Sequence, residues 1–212
     1  MEHTPDLEEG IRLAALSAGW ELSQAQLALA LLHVREMLVW NRVAHLTTVT
    51  DPAGIAGRHF HEAFQAAALL PAKAGDSALR VADIGSGAGF PGLVVKLARP
   101  DIALTLLEPR ERKAAFLAAI ARHLAPPQTV ILRKRAEDLA GAAGFDVVMS
   151  RAVRLRPRIL EGILAPGGLA MLFGPADGDE LIAALESRAW SELARRDLAI
   201  PGQVVRSMRR PP

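Results

Sequence analysis

The sequence predicts an α/β protein in which helices cover a doubly wound, mostly parallel sheet and a helical extension precedes the first strand. Residues 79–84 are short and apolar, as a strand covered on both faces should be, and they run directly into a glycine-rich turn. After that turn, apolar strands alternate with amphipathic helices. Half of the 212 residues are hydrophobic, which is enough for one substantial core.

Residues 1–70 contain helical patterns only. The apolar spacing of residues 7–18 predicts an amphipathic helix. Ser23 and Gln26 have the spacing of a capping box, which opens a long helix. After a turn, residues 55–68 return to a helical pattern. We therefore divide the chain into a helical extension, residues 1–70, and a ligand-binding domain, residues 71–212, which together form one compact unit.

The remainder of the chain is predicted to alternate between strands and helices. The predicted strands are residues 79–84, 102–107, 129–132, 145–149, 169–173, 193–198 and 203–208, the last two forming a closing antiparallel pair. The predicted helices are residues 91–97, 111–124, 137–140, 154–164 and 179–187. Ligands of a doubly wound sheet bind outside the carboxyl ends of the strands, so we expect the functional site at that edge.

The turn after the first strand is a glycine-rich loop of the kind that binds nucleotide cofactors. Gly85, Gly87 and Gly89 permit backbone angles that a Cβ atom forbids, so a ligand can lie against bare main chain. The loop also satisfies the dinucleotide pattern G-x-G-x-x-G, which is typical of NAD sites. Two features favour S-adenosylmethionine (SAM): an overlapping G-x-G-x-G, and Asp83 at the strand end, where its carboxylate can meet a cationic ligand. The alternative interpretation of Asp83 is a capping acid that bonds the loop amides.

The next strand ends in Glu108, whose carboxylate is placed to accept both hydroxyl groups of a ribose. Such an acid binds the ribose of NAD equally well, so it indicates an adenosine but does not distinguish between the two cofactors. A glycine turn that only lets a helix pack closely is the structural alternative. The complete order of strand, loop, helix, strand and terminal acid favours a cofactor site.

Arginines are clustered although the net charge is only +2, which indicates either a polyanionic partner or a solvated basic surface. Arg151 follows the fourth strand, at the expected ligand edge, and with Arg154 it is placed to track phosphates. The candidates for the opposite wall of an RNA site are Arg42, Arg58 and His59. Phe90 and Phe173 are candidate platforms for a base, with core packing as the alternative.

Composition excludes or disfavours several classes of site. The chain has no cysteine, which excludes disulfides, thiol nucleophiles and thiolate metal sites. Its six histidines lack a metal-binding spacing, so we expect no metal ion. The N-terminus is polar and acidic and no apolar run is long enough to span a bilayer, so we expect neither a signal peptide nor a membrane partner. We expect a monomeric, cytoplasmic protein.

The motifs occur together in one known family. From about Trp40 to Gly174, the chain resembles the RsmG (GidB) family of SAM-dependent methyltransferases. The most specific match is residues 83–92, which follow the family pattern D-x-G-[ST]-G-x-G-x-P-G, because the ordinary methyltransferase loop lacks the trailing Pro-Gly. The other matching segments are His45-Leu46-Thr47, Arg58-His59-Phe60, Leu106-Leu107-Glu108, Arg112-Lys113, Phe116-Leu117, Ala136-Glu137 and Ser150-Arg151-Ala152.

The resemblance implies a Rossmann-like class I SAM-dependent methyltransferase fold and a reaction. Members of the family transfer a methyl group from SAM to N7 of one guanine in bacterial 16S ribosomal RNA, a component of the small ribosomal subunit. The residues that the resemblance places on SAM are Gly85, Phe90, Glu108, Pro109, Arg110, Ala136, Glu137 and Arg151. It places Arg151 at the reacting end, which makes this arginine the candidate catalytic residue.

Methylation of guanine N7 needs no general base, because N7 has an in-plane lone pair and no proton. Alignment of N7, the methyl carbon and the sulfonium sulfur can supply much of the catalysis. The chain departs from the family pattern at His45, at Glu62-Ala63 and at Phe173, where the family has Asn, Asp-Ser and Lys. Two alternatives therefore remain: a SAM-dependent methyltransferase of another substrate, and a noncatalytic protein that binds SAM or RNA.

Overall fold

A computed structural model describes residues 5–72, 77–124, 128–139, 141, 144–153 and 155–212 of the chain. The strands in these residues are β1 (Arg80–Ile84), β2 (Ala103–Leu107), β3 (Thr129–Leu132), β4 (Phe145–Ser150), β5 (Leu164–Pro175), β6 (Ser191–Asp197) and β7 (Gln203–Arg209). They form one sheet with the order β3-β2-β1-β4-β5-β7-β6. Pairing is parallel from β3 to β5, whereas β7 is antiparallel to both β5 and β6. The predicted mostly parallel sheet and its closing antiparallel pair are confirmed.

The α-helices are α1 (Pro5–Ser17), α2 (Gln24–Ala44), α3 (Pro52–Gly54), α4 (Glu62–Leu69), α5 (Gly92–Ala98), α6 (Glu111–Leu124), α7 (Pro157–Ile163) and α8 (Glu180–Glu186). A 3-10 helix spans Ala136–Leu139. The single helix predicted over residues 55–68 is instead a π-helix over Ile55–His61 followed by α4. Across the described ranges, no helix has both the length and the hydrophobicity that crossing a membrane requires.

Strand residues alternate between the two faces of the sheet and divide the core into two clusters. On β1, Val81 joins the cluster that contains residues of α1, α2, α4, α5 and α6, whereas Ala82 joins the cluster under α7 and α8. Val147 and Val148 divide in the same way on β4. The N-terminal helices therefore pack together with α5 and α6 against one face of the sheet.

The long helix α2 begins at the predicted capping box. The Ser23 hydroxyl accepts the Gln26 amide at 3.2 Å, and the Gln26 side chain accepts the Ser23 amide at 3.0 Å. Leu27 and Val34 lie on its buried face. The same face also buries His33 completely.

Candidate active site

A cavity of about 490 Å³ opens at the carboxyl ends of β1, β2 and β4, and its volume is typical of a small-ligand site. The predicted cofactor residues that line it are Gly85, Gly87, Phe90, Glu108, Pro109, Arg110, Ala136, Glu137 and Arg151. The structure thus brings these nine residues together at the edge of the sheet where the topology predicts a ligand.

The glycine loop is tied to the end of the neighbouring strand. The Gly85 and Ser86 amides both donate to the carbonyl of Leu107, at 2.8 and 3.1 Å. Gly85 has a φ of +74°, and a Cβ there would lie 2.4 Å from a methyl group of Val153. Only glycine fits this turn, and the main chain beside the cavity is consequently left without side chains.

Glu108 joins the glycine loop to the segment after β2. Its Oε2 accepts the Gly87 amide at 3.1 Å, and its Oε1 accepts the Arg110 amide at 2.9 Å. An ionised carboxylate has about four acceptor positions, so these two bonds leave acceptor capacity on both oxygens. The carboxylate is therefore held in place at the cavity wall and can still accept hydroxyl groups.

Asp83, which was expected to meet a cationic ligand, does not line the cavity. Its side chain is buried, and Oδ2 accepts the Gly92 amide at 3.0 Å, which is the behaviour of the capping acid. A Cβ on Gly92 would lie 2.6 Å from the same oxygen. Burial raises the pKa of Asp83 to about 6, and its Oδ1 has no hydrogen-bond partner within the described residues. Asp83 therefore supports the loop from beneath.

Gly89 also lies off the cavity. It has a φ of +85°, and a Cβ would approach Leu93 to 2.5 Å, so this glycine allows α5 to pack closely. Phe90 does line the cavity, but the rings of His33 and His59 both stack on it with centroids 4.5 Å away. Of the two interpretations of Phe90, the structure favours core packing, because this residue is almost fully buried in these contacts.

His33 supports the glycine loop, a role that the sequence pattern did not indicate. Its Nε2 lies 2.7 Å from the carbonyl of Ala88, which can only accept, so Nε2 carries the proton. Burial lowers the pKa of His33 to about 4, which keeps the ring neutral. The only sequence signal was a histidine within an apolar helix face. His33 links the N-terminal helices to the glycine loop.

Arg151 lies just after β4, and three hydrogen bonds tie its guanidinium to the π-helix and to α4. Its Nη1 donates to the Arg58 carbonyl at 2.7 Å and to Glu62 Oε2 at 3.0 Å, and its Nη2 donates to His59 Nδ1 at 3.2 Å. Burial raises the pKa of Glu62, while the Arg151 charge opposes that rise. In sequence, Glu62 is only a departure from the family pattern; in the structure, it is the ionic partner of Arg151.

His59 links Arg151 to Thr47, because each of its two ring nitrogens bonds one of them. Because a guanidinium only donates, Nδ1 of His59 must accept, and the neutral ring then carries its proton on Nε2. That Nε2 lies 3.0 Å from the Thr47 hydroxyl. Burial, with the charge of Arg151 as the next cause, lowers the pKa of His59 to about 3. His59 lines both cavities, but both ring nitrogens bond within the protein, so its contact with RNA stays a prediction.

A second cavity of about 610 Å³ adjoins the first. The residues that line both cavities are Leu46, Thr47, His59, Lys113, Arg151 and Ala152. Phe173, Leu198 and Ile200 supply apolar lining to the second cavity, and Arg58 also lines it. The reacting groups of two ligands, one in each cavity, would therefore meet beside Arg151 and Thr47.

The other predicted RNA residues lie elsewhere. Arg42 is exposed at the end of α2 and does not line either cavity. Arg154 lies outside the described residues. Positive charge at the first cavity comes instead from Arg110, Lys113, Lys134, Arg135 and Arg151, against the carboxylates of Glu108 and Glu137. Within the described ranges, no group of three or more His, Asp or Glu residues is arranged to hold a metal ion.

Comparison with known proteins agrees with this arrangement. The model of the GidB family, described as rRNA small subunit methyltransferase G, matches residues 26–189. A protein of Sorangium cellulosum named ribosomal RNA small subunit methyltransferase G is 34% identical over 180 residues, covering 81% of this chain and 73% of that protein. A protein of the same name from Xanthomonas axonopodis pv. citri is 32% identical over 200 residues, covering 92% and 88%.

The fold is also found among solved methyltransferase structures. The crystal structure of P. horikoshii TYW2 in complex with MeSAdo gives a TM-score of 0.54 at 16% identity, over 71% of this chain and 62% of that one. This likeness concerns the fold alone. The family match, in contrast, spans residues 26–189, a range that contains both the glycine loop and Arg151. On these grounds the chain belongs to the GidB family, rRNA small subunit methyltransferase G.

Proposed function

We propose that this protein transfers a methyl group from SAM to N7 of a guanine in the 16S RNA of the small ribosomal subunit. Family membership supports the reaction and the class of substrate. The observation that carries the proposal is the pair of adjoining cavities. The first cavity is lined by the glycine loop and the Glu108 carboxylate, as expected of an adenosyl site. The second cavity opens beside Arg151, which lines both cavities.

The first cavity suits SAM through the chemistry of its lining. Gly85 and Gly87 leave bare main chain for the ligand, and Glu108 keeps acceptor positions for ribose hydroxyls. Ala136 and Glu137 would border the adenine, with Pro109 and Arg110 on the ribose side. SAM supplies a methyl group on a positively charged sulfur, and Arg151 would reach that end of the ligand.

The pairing of Arg151 with Glu62 suits a reaction in which both the methyl donor and the methylated product carry a positive charge. SAM carries a cationic sulfonium, and methylation leaves the positive charge on the base. Glu62 lies 3.0 Å from Arg151 and compensates its charge, while His59 stays neutral. A guanidinium has five N–H groups, and the three bonds made here leave two for ligands. We propose that Arg151 contacts the bound ligands with these two groups.

The second cavity would receive an unstacked guanine. Enzymes that modify a base take it out of the stack, and sequence-specific proteins bind unstacked RNA bases while cations hold the phosphates. Arg58 and Lys113 line this cavity and are available to the RNA backbone. Alignment of N7 with the methyl group would then supply the main catalytic effect.

We further propose that the protein acts as a monomer in the cytoplasm, where ribosomal subunits are found. We also propose that residues 1–70 and 71–212 form one compact unit. The shared core of the N-terminal helices, α5 and α6 supports this last point.

Transfer of label from SAM tests the proposed function. The purified protein is incubated with radiolabelled SAM and small subunits from a strain that lacks the corresponding gene, and 7-methylguanosine is then mapped by chemical cleavage. We expect label at one guanine of 16S RNA. Subunits from a strain that carries the gene are already methylated and serve as the unlabelled control.

Absence of label in 16S RNA, with SAM binding intact, would contradict the proposal. A methyltransferase of another substrate is the second candidate, because Phe173 lines the second cavity where the family pattern has lysine. Label in a different RNA or in a protein would favour that candidate. SAM binding without any transfer would favour a noncatalytic role.

A further inference from the structure

Thr47 occupies the junction of the two cavities and lines both of them. Its backbone is held on both sides by one asparagine. The Thr47 amide donates to Asn41 Oδ1 at 2.9 Å, and Asn41 Nδ2 donates to the Thr47 carbonyl at 2.9 Å. The hydroxyl is therefore presented at a fixed position in the region where methyl group and base would meet.

The acceptor positions of the Thr47 hydroxyl are already occupied. The Val49 amide donates to Oγ1 at 3.0 Å. The proton on His59 Nε2 is directed to the same oxygen at 3.0 Å, because Arg151 occupies the other ring nitrogen. A hydroxyl has two acceptor lone pairs and one proton. With both lone pairs used, what remains is the proton, and no acceptor for it occurs among the described residues.

We propose that Thr47 donates this proton to O6 of the target guanine and thereby helps to select guanine as the substrate base. The inference rests on the proposed function. N7 and O6 are neighbouring acceptors on the same edge of guanine, so a donor beside the reacting nitrogen meets O6. Adenine carries an amino donor at the corresponding position, and a hydroxyl without a free lone pair cannot accept it.

A neutral donor suits this position better than a charged one. Methylation puts a positive charge on the base, and a cation hydrogen-bonded to O6 without a compensating carboxylate would repel that charge. The Thr47 hydroxyl donates without this cost. The series of hydrogen bonds from Glu62 through Arg151 and His59 to Thr47 therefore fixes the direction of the Thr47 proton.

A combination of protein and RNA variants tests the inference. Full-length protein with Thr47→Val or Thr47→Ser is assayed on 16S RNA in small subunits that carry either guanine or 2-aminopurine at the methylated position. 2-Aminopurine keeps N7 but has hydrogen in place of O6. On guanine, we expect Thr47→Val to lower kcat/KM about tenfold and Thr47→Ser to retain most activity, since one hydrogen bond is lost in the first only.

On 2-aminopurine, the wild-type protein and Thr47→Val should have equal kcat/KM, because no O6 remains to accept the proton. If Thr47→Val lowered kcat/KM equally on both RNAs, the role of Thr47 would be merely structural. That result would overturn this inference and leave the proposed function standing. Absence of transfer by the wild-type protein to guanine would overturn the proposed function and this inference with it. SAM affinity, measured by calorimetry on each variant, shows whether the first cavity remains intact.

Discussion

At the scale of single residues, the site depends on one arginine whose partners come from a distant part of the chain. Arg151 and Glu62 are 89 positions apart in sequence, yet their side chains form a partly buried ion pair. A partly buried pair is poorly screened by solvent, and removing one charge leaves the other uncompensated. Arg151 is thereby held where both cavities meet.

We expect Glu62→Gln to lower kcat/KM for methyl transfer about tenfold while the protein stays folded. Glutamine can still accept a hydrogen bond from Arg151, but it cannot compensate the positive charge beside a cationic cofactor. Glu161→Gln is the matched control, since Glu161 pairs with Arg188 on a more exposed surface. Steady-state kinetics on small subunits measure the effect. Equal activity of the two variants would show that the Glu62 charge has no role in transfer.

Asp83 gives a prediction about the pH dependence of stability. Burial raises its pKa in the folded protein to about 6, above its unfolded value of about 3.8. The folded state then binds more protons between these values, so Asp83 makes the protein less stable as the pH rises through them. Asp83→Asn removes this titration. The free energy of unfolding of the variant minus that of the wild type should therefore be about 2 kcal/mol larger at about pH 7.5 than at about pH 4.

Urea denaturation at both pH values measures this change. Asparagine has its own constant cost, because its NH2 group would be buried where the Asp83 oxygen has no partner, but a constant cost cancels in the difference between two pH values. A difference that does not change with pH would mean that the pKa of Asp83 in the folded protein is not raised above its unfolded value.

At the scale of elements, the turn from β1 into α5 shows why residue 92 is a glycine. The Asp83 carboxylate bonds the Gly92 amide from beneath, and this approach leaves no space for a side chain on residue 92. The π-helix has a related role, because it presents the Arg58 carbonyl and the His59 ring to Arg151. π-Helical turns occur frequently at functional sites.

Gly92→Ala should destabilise the protein by about 2 kcal/mol, because its Cβ would lie 2.6 Å from Asp83 Oδ2. Gly57→Ala is the control, since a Cβ there would meet its nearest neighbour at 3.7 Å, an ordinary contact. Chemical denaturation of both variants measures the difference. If both changed stability equally, close packing at Gly92 would not be the cause.

The local pattern around this turn could be predicted, whereas the roles of its residues could be predicted only in part. The three glycines and Glu108 follow from what a strand, a tight turn and a second strand require of the backbone. The π-helix could not be predicted, because residues 55–68 have an ordinary helical pattern and π-helices are rare.

At the scale of the whole molecule, the N-terminal helices complete the cofactor site from one side. His33 of α2 bonds the Ala88 carbonyl and stacks on Phe90, which follows the glycine loop. Thr47, which comes after α2, lines both cavities. Binding of the cofactor should therefore stabilise the whole folded unit.

SAM should raise the free energy of unfolding, and NAD should not. A ligand that binds only the native state adds about 2.7 kcal/mol at 100 times its dissociation constant. Thermal unfolding in the presence of SAM, of NAD and of neither ligand measures this. A shift with NAD alone would contradict the assignment of the cofactor.

The sequence by itself determined the order of strands and helices, the glycine loop and the acid at the end of β2, because each depends on local backbone demands and on the period of apolar residues. Only the tertiary structure decided that Asp83 is buried, that His33 and His59 stack on Phe90, and that Glu62, Arg151, His59 and Thr47 are connected. The physical reason is that burial and the direction of a proton depend on which distant side chains pack together, and sequence spacing does not specify those contacts.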